Sequence, residues 1–295
     1  MLGGGEAQDG SVATVSGGTD VQIKSGFANY VYGGGADWDT ANRSSDVSVD
    51  SAKVSISGGS SVQSNVYAGG YAADSNSASE IGGSATVKIS NATLNGDIYA
   101  GGYGSGSSIN GDATIVFTGS GDELSFGGTV YGSGANGAVV NGSTVLAFGD
   151  DTQAFKGTFN GKISGIDLIV ISEQSEVDFA GAFGVDTLMV SSEALIALAA
   201  DTSFEKFSLV FADDFVEGDT IDIGEIFKDS ESESIVMSAI ESGGKTFTVF
   251  GGDQEWTTVY ENGEFVVSAA VPEPAAFAAV LAAFALGASL IRGRK

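Results

Sequence analysis

Five acids fall between positions 213 and 222, namely Asp213, Asp214, Glu217, Asp219 and Asp222. Such a density of carboxylates suits a hard divalent cation such as calcium. Their spacing fits neither an EF-hand loop nor the Gly-Gly-x-Gly-x-Asp calcium repeat, so a solvated acidic loop is expected, with no metal or cofactor assigned. Paired carboxylates can also hydrolyse glycosides, and 38 Asp and Glu offer chance pairs. Other chemistry is closed off. The chain has no His and no Cys, which removes Ser–His and Cys–His nucleophile pairs, disulfides and thiolate metal sites. Gly132-Ser133-Gly134-Ala135-Asn136-Gly137 has the form G-x-G-x-x-G but is followed by no helical pattern. Gly244-Lys245-Thr246 ends like a P-loop, yet position 239 is Ala. No catalytic residue is assigned, and the chain is not expected to be an enzyme.

The remaining candidates are tyrosines, and they sit in repeats. One phrase recurs as Val31-Tyr32-Gly33-Gly34-Gly35, Val66-Tyr67-Ala68-Gly69-Gly70-Tyr71, Ile98-Tyr99-Ala100-Gly101-Gly102-Tyr103 and Val130-Tyr131-Gly132-Ser133-Gly134. Ile163-Ser164-Gly165 is a worn fifth copy. The lead residues are 32 to 35 positions apart. Alternating stretches precede the phrases: Val47-Ser48-Val49, Lys53–Ile56, Ala85–Ile89 and Thr114–Phe117 read as half-buried strands. A unit this small cannot bury its apolar face alone, so the units must stack. Stacking predicts one internal file of aliphatic residues and a second file of Tyr32, Tyr67, Tyr99 and Tyr131. Glycine is expected at the corners for positive φ, and Ser107 is read as exposed in a Gly/Ser turn. The fold class is therefore all-β: a β-solenoid of the right-handed parallel β-helix type, with one large coil or two small ones per repeat. A β-sandwich or propeller-like array is the alternative.

Composition divides the chain. Residues 1–165, the glycine-rich repeat region, hold 34 Gly and 15 acids against 6 bases. Residues 166–271 hold 9 Gly and 22 acids against 3 bases, and form an acidic β-rich continuation and cap. Strands are expected at Leu168–Ile171, Phe207–Phe211 and Thr246–Phe250. Trp256–Glu261, Asn262-Gly263 and Glu264–Val267 carry a two-residue hairpin signal, read as a cap on the open end. A short helix is expected over Glu193–Ala200 and a helical turn over Glu225–Asp229. The net charge of −26 leaves no positive footprint for phosphate, so nucleic acid is not an expected partner.

The carboxyl terminus, residues 272–295, has three ordered parts. Both prolines of the chain fall in Val271-Pro272-Glu273-Pro274. Seventeen uncharged residues follow, Ala275 to Ile291, and then Arg292-Gly293-Arg294-Lys295. As a helix, the apolar run reaches about 25 Å, enough for a thin bilayer. The basic end would remain cytoplasmic, leaving residues 1–271 outside.

This tail resembles the PEP-CTERM sorting signal of Gram-negative bacteria that make exopolysaccharide. The resemblance implies that Pro272, Glu273 and Pro274 are the motif read by an exosortase-type membrane protease. It implies that 275–291 anchors the chain transiently in the inner membrane, that Arg292, Arg294 and Lys295 stop transfer, and that the product reaches the cell surface or extracellular matrix. It covers 24 of 295 residues and describes sorting alone. Met1–Asp9 lacks the basic and apolar regions of a secretory leader, so a true start upstream of Met1 is expected. The first repeats resemble the passenger regions of autotransporter adhesins. Three functions follow in order: a secreted structural or adhesive surface protein, a carbohydrate-binding module for exopolysaccharide, and a carboxylate-based glycosidase. Exposure of the tyrosine file separates the second from the first.

Overall fold

A computed structural model of the chain describes residues 1–7, 12–37, 45–73, 77–213, 215–241, 246–251, 254–261 and 264–271. Outside the described residues lie Asp214, the Asn262-Gly263 turn and the whole tail with Pro272, Glu273, Pro274, the 275–291 segment, Arg292, Arg294 and Lys295. Among the described residues no helix is long and apolar enough to cross a membrane. The described chain is predominantly β.

The alternating stretches form one main ladder. Within Ala85–Ile89, Ala85, Val87 and Ile89 are buried while Thr86 and Lys88 are half-buried, the period of two that a pleated strand imposes. Val87 pairs in parallel with Val54 on one side and Ile115 on the other. The same file runs Val21, Val54, Val87, Ile115, Leu146, Ile169, Leu188, Phe207 and Phe247. Nine strands thus place an apolar side chain at one inward position, the seven between the two ends each bonded in parallel to the strand before and the strand after. Side chains from several strands of the first half, such as Val54, Leu94, Ile98 and Ile109, join one core cluster.

The repeat phrase forms a second ladder, through Val31–Tyr32, Val66–Tyr67, Ile98–Tyr99, Thr129–Tyr131 and Lys162–Ser164, all parallel. Val31, Val66, Ile98 and Val130 are equivalent and at most 1% exposed. Ile163 pairs with Val130, as the worn fifth copy requires. In this ladder each copy pairs with the copies one repeat away. A sixth copy was not visible in the sequence: Leu2 bridges Tyr32, and Glu6 pairs with Ala36, so Met1-Leu2-Gly3-Gly4-Gly5 occupies the phrase's place with Leu for Tyr.

The corner glycines act by contact, not by φ. Those of the phrase are absent from the positive-φ positions, apart from Gly165 of the worn copy. A Cβ on Gly69 would stand 2.6 Å from the amide N of Gly102, and one on Gly101 would stand 2.5 Å from that of Gly134. Consecutive corners touch backbone to backbone, which only glycine permits. Gly101→Ala is therefore expected to cost about 1–3 kcal/mol or more, because neither backbone can yield without moving a rung. Gly127→Ala meets nothing within 4 Å and should leave stability unchanged or raise it by up to about 1 kcal/mol. Thermal melting of the two variants checks this, and equal melting temperatures would refute it.

Ser107 is not exposed. It is fully buried, and its hydroxyl donates to the carbonyl of Gly70 at 3.1 Å. Ser79, its partner in the ladder, donates likewise to Gly35 at 3.0 Å. At these two corners the serine adds a second hydrogen bond to a carbonyl that already accepts a backbone amide, from Tyr71 at Gly35 and from Tyr103 at Gly70.

The spacing between paired strands changes along the chain. The main-ladder partners Ala52, Ala85, Ala113 and Thr144 are spaced by 33, 28 and 31 residues, whereas Leu168, Thr187 and Lys206 are spaced by 19. The ladder crosses residue 165 without a break, Val145 pairing with Leu168. A separate parallel ladder runs through Phe155–Phe159, Glu176–Phe179 and Leu195–Ala197. The expected helix over Glu193–Ala200 is absent: Ala194, Ile196 and Leu198 are buried alternately and Ile196 pairs with Val177, so ladder pairing overrides helical propensity. The turn near Glu225–Asp229 is a 3-10 turn over Gly224–Ile226, and the α-helix lies just beyond it, at Ser230–Glu241. Gln254–Glu261 and Glu264–Ala270 pair antiparallel, Glu261 with Glu264, and Val249 pairs antiparallel with Trp256. The hairpin thus ends the run of parallel pairing.

Candidate functional site

The second ladder brings the predicted tyrosines together. Ring centroids of Tyr32 and Tyr67 lie 4.8 Å apart, those of Tyr67 and Tyr99 5.0 Å, and those of Tyr99 and Tyr131 4.8 Å, with interplanar angles of 4°, 13° and 12°. These distances are set by the rung spacing of a parallel ladder. The last tyrosine of the phrase builds a second, shorter file, Tyr71 on Tyr103 at 5.2 Å and 8°. It was quoted in the phrase but not recognised as a file. The two files meet at right angles: Tyr32 and Tyr71 at 80°, Tyr67 and Tyr103 at 87°. Edge-to-face contact sets the positive rim of one ring against the negative face of the other.

Exposure differs between the files. Tyr32 and Tyr67 are buried, at 7% and 2%, whereas Tyr71, Tyr99, Tyr103 and Tyr131 are half-buried. Tyr30, just before the first phrase, is 42% exposed and leans on Tyr32 at 6.4 Å and 25°. Between Tyr30, Tyr32, Tyr67, Tyr71 and Tyr103 opens a groove of about 720 Å³, lined also by Met1, Leu2, Asn29 and Asn65. The Asn65 amide donates to the Tyr67 hydroxyl at 3.0 Å, while its carbonyl oxygen accepts from the Asp97 amide at 2.9 Å. Asn65 is thereby fixed, and Tyr67 keeps its own hydroxyl proton to give.

Burial raises the phenol pKa of Tyr32, Tyr67, Tyr71 and Tyr99, because the phenolate is poorly solvated there, and neighbouring tyrosines add to it. The Asn65 hydrogen bond partly opposes the shift at Tyr67. A folded-state value above the unfolded one gives stability that is complete below about pH 10 and is lost as pH rises further. Phenolate absorbance followed beside circular dichroism should show these four titrating only as the fold is lost. Full tyrosine titration near pH 10 with the fold intact would contradict this.

The described acids do not gather. Asp219 accepts from the Val216 amide at 2.9 Å and Asp222 from the Gly224 amide at 2.8 Å, each closing its own turn. Among the described residues no group of three or more acids is placed to hold a metal ion. Asp150 and Asp151 border a cavity of about 360 Å³ with Glu173. Burial raises the Asp151 carboxyl; it opposes but does not prevent a lowered Asp150, which the Lys88 ammonium and Thr152 hold down. Such opposed shifts resemble those of an acid–base pair. However, Asp150 is tied to Lys88 at 2.5 Å, and its other oxygen accepts from Thr152 and Gln153, so its lone pairs serve the turn. Compared with known proteins, the chain gives no significant match to a family model, a curated protein or a solved structure.

Proposed function

We propose that the protein is an exported structural or adhesive component of the bacterial surface or extracellular matrix, and not an enzyme. Its body is read as a β-solenoid of the right-handed parallel β-helix type, closed at its carboxyl end by the hairpin. The observation that carries this reading is the in-register parallel ladder from Val21 to Phe247, at one rung per repeat. Nearly every recurring residue is used to build the stack: aliphatics inside, glycines where corners touch, serines on corner carbonyls, tyrosines ring on ring. Elongated stacks of this kind suit spanning and scaffolding.

The destination rests on the tail. In this reading an exosortase-type protease acts at Pro272-Glu273-Pro274, after 275–291 has held the chain in the inner membrane and Arg292, Arg294 and Lys295 have stopped its transfer. Mass spectrometry of surface-released protein from its native host is expected to show a carboxyl terminus close to that motif. Intact Lys295 on mature surface material would sink the sorting proposal while leaving the fold untouched.

A further inference from the structure

We propose that the tyrosine groove at the first rungs binds a neutral glycan, one or two sugar units at a time. The inference goes beyond the structural role and does not depend on how the chain is sorted. Four features carry it. The groove, about 720 Å³, has the size of a small-ligand site and is lined mainly by aromatic rings. Tyr30 offers the ring that a sugar can cover: it is 42% exposed and only loosely stacked on Tyr32, 6.4 Å away. The polar groups along the walls suit hydroxyl partners, since Asn29 and the phenol groups line the groove and the Tyr67 hydroxyl has its proton to donate. Among the described residues no Lys or Arg lines it, the Met1 amino group at its edge is held by the Tyr30 carbonyl at 2.6 Å, and Asp97 lies close enough to Tyr67 and Tyr99 to act on both, which disfavours uronates, sulfates and phosphates.

The same geometry argues against a quaternary ammonium ion, the other ligand of aromatic sites. Such a cation needs the negative face of a ring. Within the long file the faces between neighbouring rings are covered, at 4.8 to 5.0 Å. Tyr30, loosely stacked at 6.4 Å, is the ring of the groove with a face to offer. One face can stack a sugar, whereas an aromatic cage sets several faces around one cation.

The test is calorimetric titration of the full 295-residue chain with maltohexaose, cellohexaose and laminarihexaose, and separately with polygalacturonate and with choline chloride. Binding of at least one neutral hexasaccharide is expected. Tyr30→Ala should weaken it by about tenfold or more, the scale of a lost aromatic anchor. Tyr260→Ala, equally exposed at 41% but on the distant hairpin, should bind as the parent does. Because Tyr30 is exposed, its variant should melt with the parent, so a loss of affinity reports the site and not the fold. No binding of any neutral hexasaccharide, tighter binding of choline or polygalacturonate, or a Tyr30→Ala variant of unchanged affinity would each overturn the proposal.

Discussion

Deleting residues 67–98 is expected to give a shorter β-protein that still folds cooperatively. The cut joins Val66 to Tyr99, which restores the phrase, since Val66 and Ile98 are ladder equivalents, as are Tyr67 and Tyr99. The rung ending at Val66 then meets the rung that begins at Tyr99. Ser60–Val62, which pairs with Ala92–Leu94, takes over the latter's partner, Leu124–Phe126. Val54 loses Val87 and gains Ile115, again an aliphatic residue at the inward position. Every hydrogen-bonded neighbour is replaced by its own equivalent, because each repeat touches only the repeats beside it. A sandwich would instead lose a strand whose partner has no substitute. Circular dichroism and thermal melting distinguish the two. A deletion that loses its cooperative transition, beside a parent that keeps it, would refute the stacked arrangement.

Replacing Ile98 by Asp should have the opposite outcome. Ile98 is fully buried and paired on both sides, with Val66 and Val130. No basic side chain shares that file, so a carboxylate there is buried without a partner. This is one of the few routes to a loss above about 4 kcal/mol. Ser125→Asp, on an exposed position of Leu124–Phe126, should shift stability by less than about 0.5 kcal/mol. Chemical denaturation of the two variants measures the difference, and a tolerated Ile98→Asp would show that the file does not face the core.

The first half was legible because its repeats carry a phrase with fixed chemistry: an aliphatic residue, a tyrosine and two glycines at constant spacing project directly onto ladders. Where the phrase wears down, legibility fails. The copy at Met1–Gly5 has Leu in place of Tyr and was passed over. In the second half Ile169, Leu188 and Phe207 stand 19 residues apart and share one file, but no turn residue repeats with them, so only the strands were visible and not the smaller coil. The helix at Ser230–Glu241 did leave a signal. Asp229 accepts from the Ser232 amide at 2.7 Å as an N-terminal cap, and Ile235, Val236, Ala239 and Ile240 recur at helical spacing. Ser107 was misplaced for a different reason. A serine among glycines reads as a wet turn, and only the position of the Gly70 carbonyl makes it an interior residue. The groove depends on two files crossing, which no spacing along one chain reveals.

In the proposed solenoid, the change in spacing between paired strands has a mechanical consequence. Hydrogen bonds between rungs lie along the stacking direction, so tension applied between the two ends of the ladder loads one interface at a time and peels rungs instead of shearing the whole sheet at once. Each large coil of 32 residues would release roughly 110 Å of chain, and each small coil of 19 residues roughly 65 Å. If the proposed solenoid holds, such a molecule would act as a graded extensible tether with two increments of length. The coarse increments lie toward its amino end and the fine ones toward the end that carries the tail.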